Sequence, residues 1–262
     1  MRIIRLPDIA LHYREDGDPA GPALVFSNSL GTDLRLWDKV VPLLPGGLRV
    51  IRYDQRGHGL SDAPAGRYSM GTMVTDAERL LENLGVRECV FVGISMGGMI
   101  AQGLAVKRPD MLRALVLCDT GAKIGTAEMW QARIEGVLTK GMAAVADGIL
   151  DRWFAPAFRA TPEFAAWRNM LMHQPPQGYA GACAAISGTD FYTPTSGLTL
   201  PTLAIAGAED SSTPADLVRE TASLIHGSRF ELIRGAGHLP CVEKPDAYAA
   251  LLTAFLKEAG HV

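Results

Sequence analysis

Cys89-Val-Phe-Val-Gly-Ile-Ser95-Met-Gly-Gly98, followed by Met99-Ile-Ala-Gln-Gly-Leu-Ala105, is the stretch on which the fold of this chain turns. The apolar run Val90 to Val92 has strand length and stops abruptly at Gly93-Ile-Ser-Met-Gly97, after which helix-favouring residues take over. That is the G-x-S-x-G pattern of a nucleophile elbow, a strand-to-helix turn so sharp that its serine is held in a strained backbone conformation. Gly93 and Gly97 are expected where neighbouring backbone passes too close for a Cβ. The serine hydroxyl is left standing clear, and the free N–H groups of the following helix face whatever it attacks.

Outward from the elbow the chain alternates between periods. Residues 2–6 and 9–14 read as short strands around a Pro7-Asp8 turn, 23–26 as a buried strand after the loop Gly17-Asp-Pro-Ala-Gly-Pro22, and 48–53 as another. Residues 36–44 read as a short helical segment. Met70, Met73, Val74, Ala77, Leu80, Leu81 and Leu84 recur at helical spacing, with Ser69 placed to cap and Gly85 to terminate. After the strand 114–118 the alternation breaks: 121–194 carries Trp130, Trp153 and Trp167 on long helical patterns with no clear strand. A strand at 201–206, a helix at 214–225, a strand at 229–233 and a helix at 245–258 restore it. The pattern predicts an α/β core from 1–120 and 195–262 with a mostly parallel, doubly wound sheet, and a helical cap inserted at 121–194 over the strand ends, where ligands bind in such sheets.

Composition narrows the class. The chain has 262 residues, 48% of them hydrophobic and 20% charged, with a net charge of −3, which suits a globular protein with a sizeable core. No Lys/Arg run suggests a nucleic-acid surface, no apolar stretch approaches the ~20 residues that span a bilayer, and the first residues lack the apolar core of a signal peptide. Cys89, Cys118, Cys183 and Cys241 are scattered without a C-x-x-C pair, as expected of buried thiols in a reducing cytoplasm. No His/Cys/Asp group has metal-ligand spacing, and no cofactor is expected.

A serine hydroxyl is a weak nucleophile near neutral pH and needs a base, which in turn needs an orienting acid. Asp210 follows the strand 201–206 through Gly207-Ala-Glu209, and His238 sits in Gly235-Ala-Gly-His-Leu-Pro240 directly after the strand 229–233. Ser95, Asp210 and His238 are therefore expected at one sheet edge as nucleophile, acid and base. Asp119 is the competing acid, and His58, in Arg56-Gly-His-Gly59, reads as a brace rather than the base. An oxyanion needs two donors. The N–H of Met96 is one, and Leu30, in the loop after the strand 23–26, is in line to supply the other.

With these motifs the chain resembles the α/β-hydrolases over essentially its whole length, and among them the 3-oxoadipate enol-lactonases of aromatic catabolism (the β-ketoadipate pathway). Ser27-Asn-Ser-Leu-Gly-Thr-Asp33 with Trp37, Tyr53-Asp-Gln-Arg-Gly-His-Gly59, Gly93 to Gln102 and Gly237-His-Leu-Pro-Cys-Val-Glu243 carry the likeness. Asn28-Ser29 stands where many relatives have His-Gly, and Cys241 where similar proteins often have a polar residue. The resemblance implies hydrolysis of a small anionic enol-lactone through an acyl-enzyme on Ser95. The substrate's free carboxylate then calls for a cation. On the cap, Trp130, Ile134, Val137 and Leu138 define one helical face with Arg133 at its margin, which makes Trp130 and Arg133 the candidate substrate-binding pair; Arg152, Arg159 and Arg168 are alternatives. The same triad serves carboxylesterases, C–C bond hydrolases and perhydrolases, and the fold also hosts lactone receptors. The nucleophile of haloalkane dehalogenases is an aspartate, which excludes that activity here.

Overall fold

Runs of apolar residues buried on both faces become the centre of the sheet. In the computed structural model, which describes residues 1–262, the strands are β1 (Arg2–Arg5), β2 (Ala10–Gly17), β3 (Ala23–Ser27), β4 (Arg49–Tyr53), β5 (Cys89–Ile94), β6 (Leu112–Cys118), β7 (Thr202–Gly207) and β8 (Arg229–Ile233). They form one sheet in the order β1-β2-β4-β3-β5-β6-β7-β8. β1 and β2 pair antiparallel, as do β2 and β4, and every later pairing is parallel. β3, β5 and β7 are buried along their whole length.

Register sets the site. Ser27 of β3 lies opposite Gly93 of β5, Ile94 opposite Cys118 of β6, Cys118 opposite Ile205 of β7, and Gly207 opposite Ile233 of β8. The strands thus run out together, and Asn28 to Leu30, Ser95, Asp119, Asp210 and His238 all lie just beyond their ends.

Two helices follow the first strands: α1 (Met70–Asn83), capped by Ser69 on the Thr72 N–H and followed by Gly85 at φ 68°, and α2 (Met96–Lys107). α2 is buried all round from Met96 to Ala105. Between β6 and β7 come only helices: α3 (Ala127–Lys140), α4 (Ala143–Trp153), α5 (Pro156–Arg159), α6 (Phe164–Met172), α7 (Pro176–Ser187) and α8 (Tyr192–Ser196). α9 (Ala215–Ser223), α10 (Pro240–Glu243) and α11 (Pro245–Glu258) complete the chain. No helix is long and apolar enough to cross a membrane.

Two expectations change. Residues 36–44 form not one helix but two 3₁₀ turns, Leu34–Trp37 and Val41–Leu43, separated because Pro42 cannot continue the first turn's hydrogen bonding. On α3, Trp130, Ile134 and Val137 are buried, but Leu138 is 46% exposed: one residue past Val137, it is rotated off the buried stripe.

Candidate active site

The elbow is built by its glycines. A Cβ on Gly93 would run into the carbonyl of Gly97, and one on Gly97 into the carbonyls of Ser27 and Asn28, so only glycine lets β5, α2 and the loop after β3 approach this closely. Between them Ser95 takes φ 56°, ψ −118°, a costly conformation for a residue with a side chain. Surrounding bonds hold it there. Its N–H donates to Cys118 O at 2.9 Å, and its carbonyl accepts from Thr120 Oγ1 at 2.7 Å and from the N–H groups of Gly98 and Met99.

Two backbone donors near the turn are left unspent. Gly97 N–H is spent on Asn28 O, while that of Met96, the first residue of α2, is one of the orphan donors a helix start leaves. Leu30 N–H has no partner among the turn and loop bonds, and Leu30 lines the cavity that Ser95 faces. The loop between is fixed from behind. Asn28 donates to Tyr53 O and Gln55 Oε1 and accepts from Trp37 Nε1, and Gly31 N–H donates to His58 Nε2 at 2.9 Å. Burial holds His58 down at about 4, so it stays neutral and able to accept that bond.

On the opposite side His238 and Asp210 meet, with Nδ1 and Oδ2 2.8 Å apart and both side chains shut away from solvent. Asp210 Oδ1 accepts from the N–H groups of Ser212 and Thr213, and Thr213 Oγ1 lies 2.7 Å from Oδ2 and 3.1 Å from His238 Nδ1. Burial alone would raise the Asp210 carboxyl, but His238, Thr213 and the Ser212 N–H outweigh it and bring it below the ordinary value. An acceptor-only Asp210 makes Nδ1 the protonated nitrogen and leaves Nε2 as the free base. In this structure Nε2 lies 3.4 Å from Ser29 Oγ, and Ser95 Oγ makes no hydrogen bond, although Ser29, Ser95 and His238 line one cavity.

Asp119 is the neighbour with the opposite electrostatics. It takes φ 41° after β6, accepts from Gly207 N–H at 2.8 Å and from Cys118 Sγ at 2.9 Å, and is pushed well above the usual carboxylate range by burial and by the Asp210 charge. The ligand atoms of Asp119, Asp210 and His238 fall within 4.8 Å of one another, a cluster that chain spacing did not reveal. Those atoms are already engaged by protein hydrogen bonds.

The cavity measures about 140 Å³, close to the ~150 Å³ that holds a benzene-sized ligand. Its far wall belongs to α3, α4 and α7. Arg133 and Arg152 both line it without a salt bridge, and no acidic residue is among the lining groups. Arg133 stacks on Trp130 at 4.8 Å, and burial together with the Arg133 charge pulls the Arg152 guanidinium below its ordinary value. Beside both, the buried Tyr179 hydroxyl makes no hydrogen bond of normal geometry. Trp130 Nε1 is spent on Ile124 O at 2.6 Å, so Trp130 presents only its ring. Arg159 and Arg168 lie elsewhere, paired with Asp151 and Asp147.

The base loop and the far wall are joined. His238 N–H donates to Trp153 O, while Glu243 accepts from Gly237 N–H on one oxygen and from Ala155 N–H on the other. Burial raises the Glu243 carboxyl to about 7. Sequence reasoning gave no role of their own to Ser29, Thr213, Tyr179 and Glu243; Ser29 and Glu243 had a signal, in the motifs Ser27 to Asp33 and Gly237 to Glu243.

A strained serine over a helix start, with a buried His–Asp pair across a small cavity, is equipment for acyl transfer. Residues 24–251 match the alpha/beta hydrolase family, and the chain belongs to it and is a hydrolase. It is 37% identical to 3-oxoadipate enol-lactonase 2 of Acinetobacter baylyi, over 95% of this chain and 94% of that protein. The crystal structure of the enol-lactonase from Burkholderia xenovorans is similar with a TM-score of 0.94 at 36% identity, covering 98% of this chain and all of that one. A malate-bound thermophilic esterase from Thermogutta terrifontis follows the same fold at a TM-score of 0.93 and 29% identity, over the full length of both chains.

Proposed function

We propose that the chain hydrolyses 3-oxoadipate enol-lactone to 3-oxoadipate in aromatic catabolism, in the cytoplasm. Residues 1–120 and 195–262 act as the catalytic core and 121–194 as a specificity cap. Ser95 Oγ attacks the ring carbonyl as His238 Nε2 takes its proton, and Asp210 holds the ring and its developing charge. The oxyanion is met by Leu30 and Met96 N–H groups. The ring C–O bond breaks, the tethered enol is protonated and ketonises, and water activated by His238 cleaves the acyl-enzyme.

The observation that carries this reading is the cavity's lining: Ser95 and His238 share it with two arginines that have no carboxylate partner and with the Tyr179 hydroxyl beside them. A small carboxylate-bearing ester fits that lining, with Arg133 and Arg152 on its carboxylate and Trp130 as an apolar wall. The enol-lactonases at 37% and 36% identity supply the lactone. Steady-state turnover of 3-oxoadipate enol-lactone beside p-nitrophenyl acetate is the test. A kcat/KM for the lactone exceeding that for the ester by 100-fold or more is expected, since a hydrogen-bonding site rejects analogues that leave it unpaired. A preference for the neutral ester overturns the proposal.

A further inference from the structure

We infer that the Ser29 hydroxyl is a second catalytic hydroxyl, a proton relay between His238 and the departing oxygen of the substrate. The inference rests on the acyl-transfer reading of Ser95 and His238. Three observations carry it. Ser29 Oγ is the hydrogen-bond partner of His238 Nε2, at 3.4 Å, and has no other. Ser29 is 1% exposed yet lines the cavity shared with Ser95. Its backbone is pinned, since its carbonyl accepts from both the N–H and the hydroxyl of Thr32, at 3.2 and 2.8 Å. A buried hydroxyl spared every structural bond but one to the base is not there to hold the loop.

The chemistry has a place for such a group. With Nδ1–H donated to Asp210, the resting Nε2 carries a lone pair and Ser29 Oγ–H donates to it. Once Nε2 has taken the Ser95 proton, the polarity inverts and Nε2–H donates to Ser29 Oγ. A hydroxyl accepts and donates at once. As the C–O bond of the ester breaks, the Nε2 proton passes to Ser29 Oγ and the original Oγ proton passes to the leaving oxygen, so that Ser29 ends neutral and His238 is again a free base. The next residue, Leu30, lines the same cavity and has an N–H with no backbone partner. One turn of loop then serves both oxygens of the ester.

A relay to the leaving group matters most when that group is basic, which separates it from a packing role. The test compares phenyl butyrate with p-nitrophenyl butyrate in wild type, Ser29→Ala and Ser29→Thr. In Ser29→Ala, kcat/KM for the phenyl ester is expected to fall about 10-fold further than for the p-nitrophenyl ester, a fraction of the 10²–10⁴ that general acid–base catalysis contributes. Ser29→Thr restores the ratio because it restores the hydroxyl. Equal losses on both esters, or a ratio that threonine leaves depressed, overturns the relay. A second measurement stands if Ser29→Ala folds poorly: the wild-type rate on phenyl butyrate in mixtures of light and heavy water. Two protons in flight bow that plot downward; a straight line means one proton and overturns the inference. Failure of the underlying reading shows differently, as ester hydrolysis that survives Ser95→Ala.

Discussion

The two walls of the cavity are built on different principles. On the sheet side every functional position follows from backbone: strand register, a strained turn, glycines where a Cβ has no room, and N–H groups at a helix start. On the side of α3, α4 and α7 the backbone supplies only ordinary helices, and the character of the wall comes from side chains of Arg133, Arg152, Tyr179 and Trp130, drawn from three helices. The backbone-built wall suits bond breaking, which is common to every ester. The side-chain-built wall suits choice among esters.

Removing the proposed nucleophile should break the contrast most severely. Ser95→Ala is expected to cost roughly 10³-fold or more in kcat on charged and neutral esters alike, because the lost group acts on chemistry they share. Comparable residual rates with a preference between esters would put the chemistry on the other wall. The acids come next. Asp210→Asn should cost about 10³–10⁴-fold in kcat, since an amide cannot hold the imidazolium. Asp119→Asn should cost less than about 10-fold, because its side chain bonds to Gly207 N–H and Cys118 Sγ and not to the imidazole. A reversed order in the two variants' kcat would move the orienting acid to the end of β6.

Across the cavity the effects should be smaller and selective. Arg133→Ala and Arg152→Ala are each expected to lower kcat/KM by about 10- to 150-fold on the carboxylate-bearing lactone, from roughly 1.5–3 kcal/mol per charge-assisted hydrogen bond. The methyl ester of the same lactone acid should hardly notice either change. Arg133→Lys should recover only part of the loss if the guanidinium binds through two N–H groups. Equal losses on both substrates would show that the arginines support packing.

The smallest effect concerns stability, and it sharpens the backbone side of the comparison. The His58 pKa, about 4 when folded against 6.5 when free, means that the stabilising contribution of the neutral ring is complete above 6.5 and is lost as pH falls toward 4. Between pH 7 and 5 this group alone should reduce unfolding free energy by about 2 kcal/mol. Denaturant titrations at the two pH values should show a flatter dependence in His58→Gln than in the wild type, and an unchanged slope would exclude His58 as its source.

The contrast between the walls also explains what could be read from the chain. G-x-S-x-G, the strand before Asp210 and the loop around His238 are local patterns, and parallel register carries each of them to one edge without further information. Asn28 to Leu30 were legible for the same reason. Arg133 and Arg152 were visible only as arginines on helices; that they share a cavity free of acids, while Arg159 and Arg168 are neutralised on the surface, depends on how α3, α4 and α7 pack. Leu138 illustrates the limit of periodicity, since one position of rotation carries it from the stripe into solvent. Thr213 is unremarkable in any window of sequence, and Ser29 stands out only as part of the Asn28-Ser29 departure from His-Gly; the relation of both hydroxyls to the imidazole appears only in the fold.

The junction between His238 and Trp153 bears on how such a protein can change its diet. Where the loop of the base touches the helical segment, the helical side contributes only Trp153 O and Ala155 N–H, while the lone side chain in the junction, Glu243, comes from the core. Main-chain groups are indifferent to the residues that carry them. The side chains at positions 153 and 155 can therefore change without removing these hydrogen bonds to the His238 loop. One restriction follows at position 155: proline would take away the amide hydrogen and leave a Glu243 oxygen, and with it the imidazole, less firmly seated.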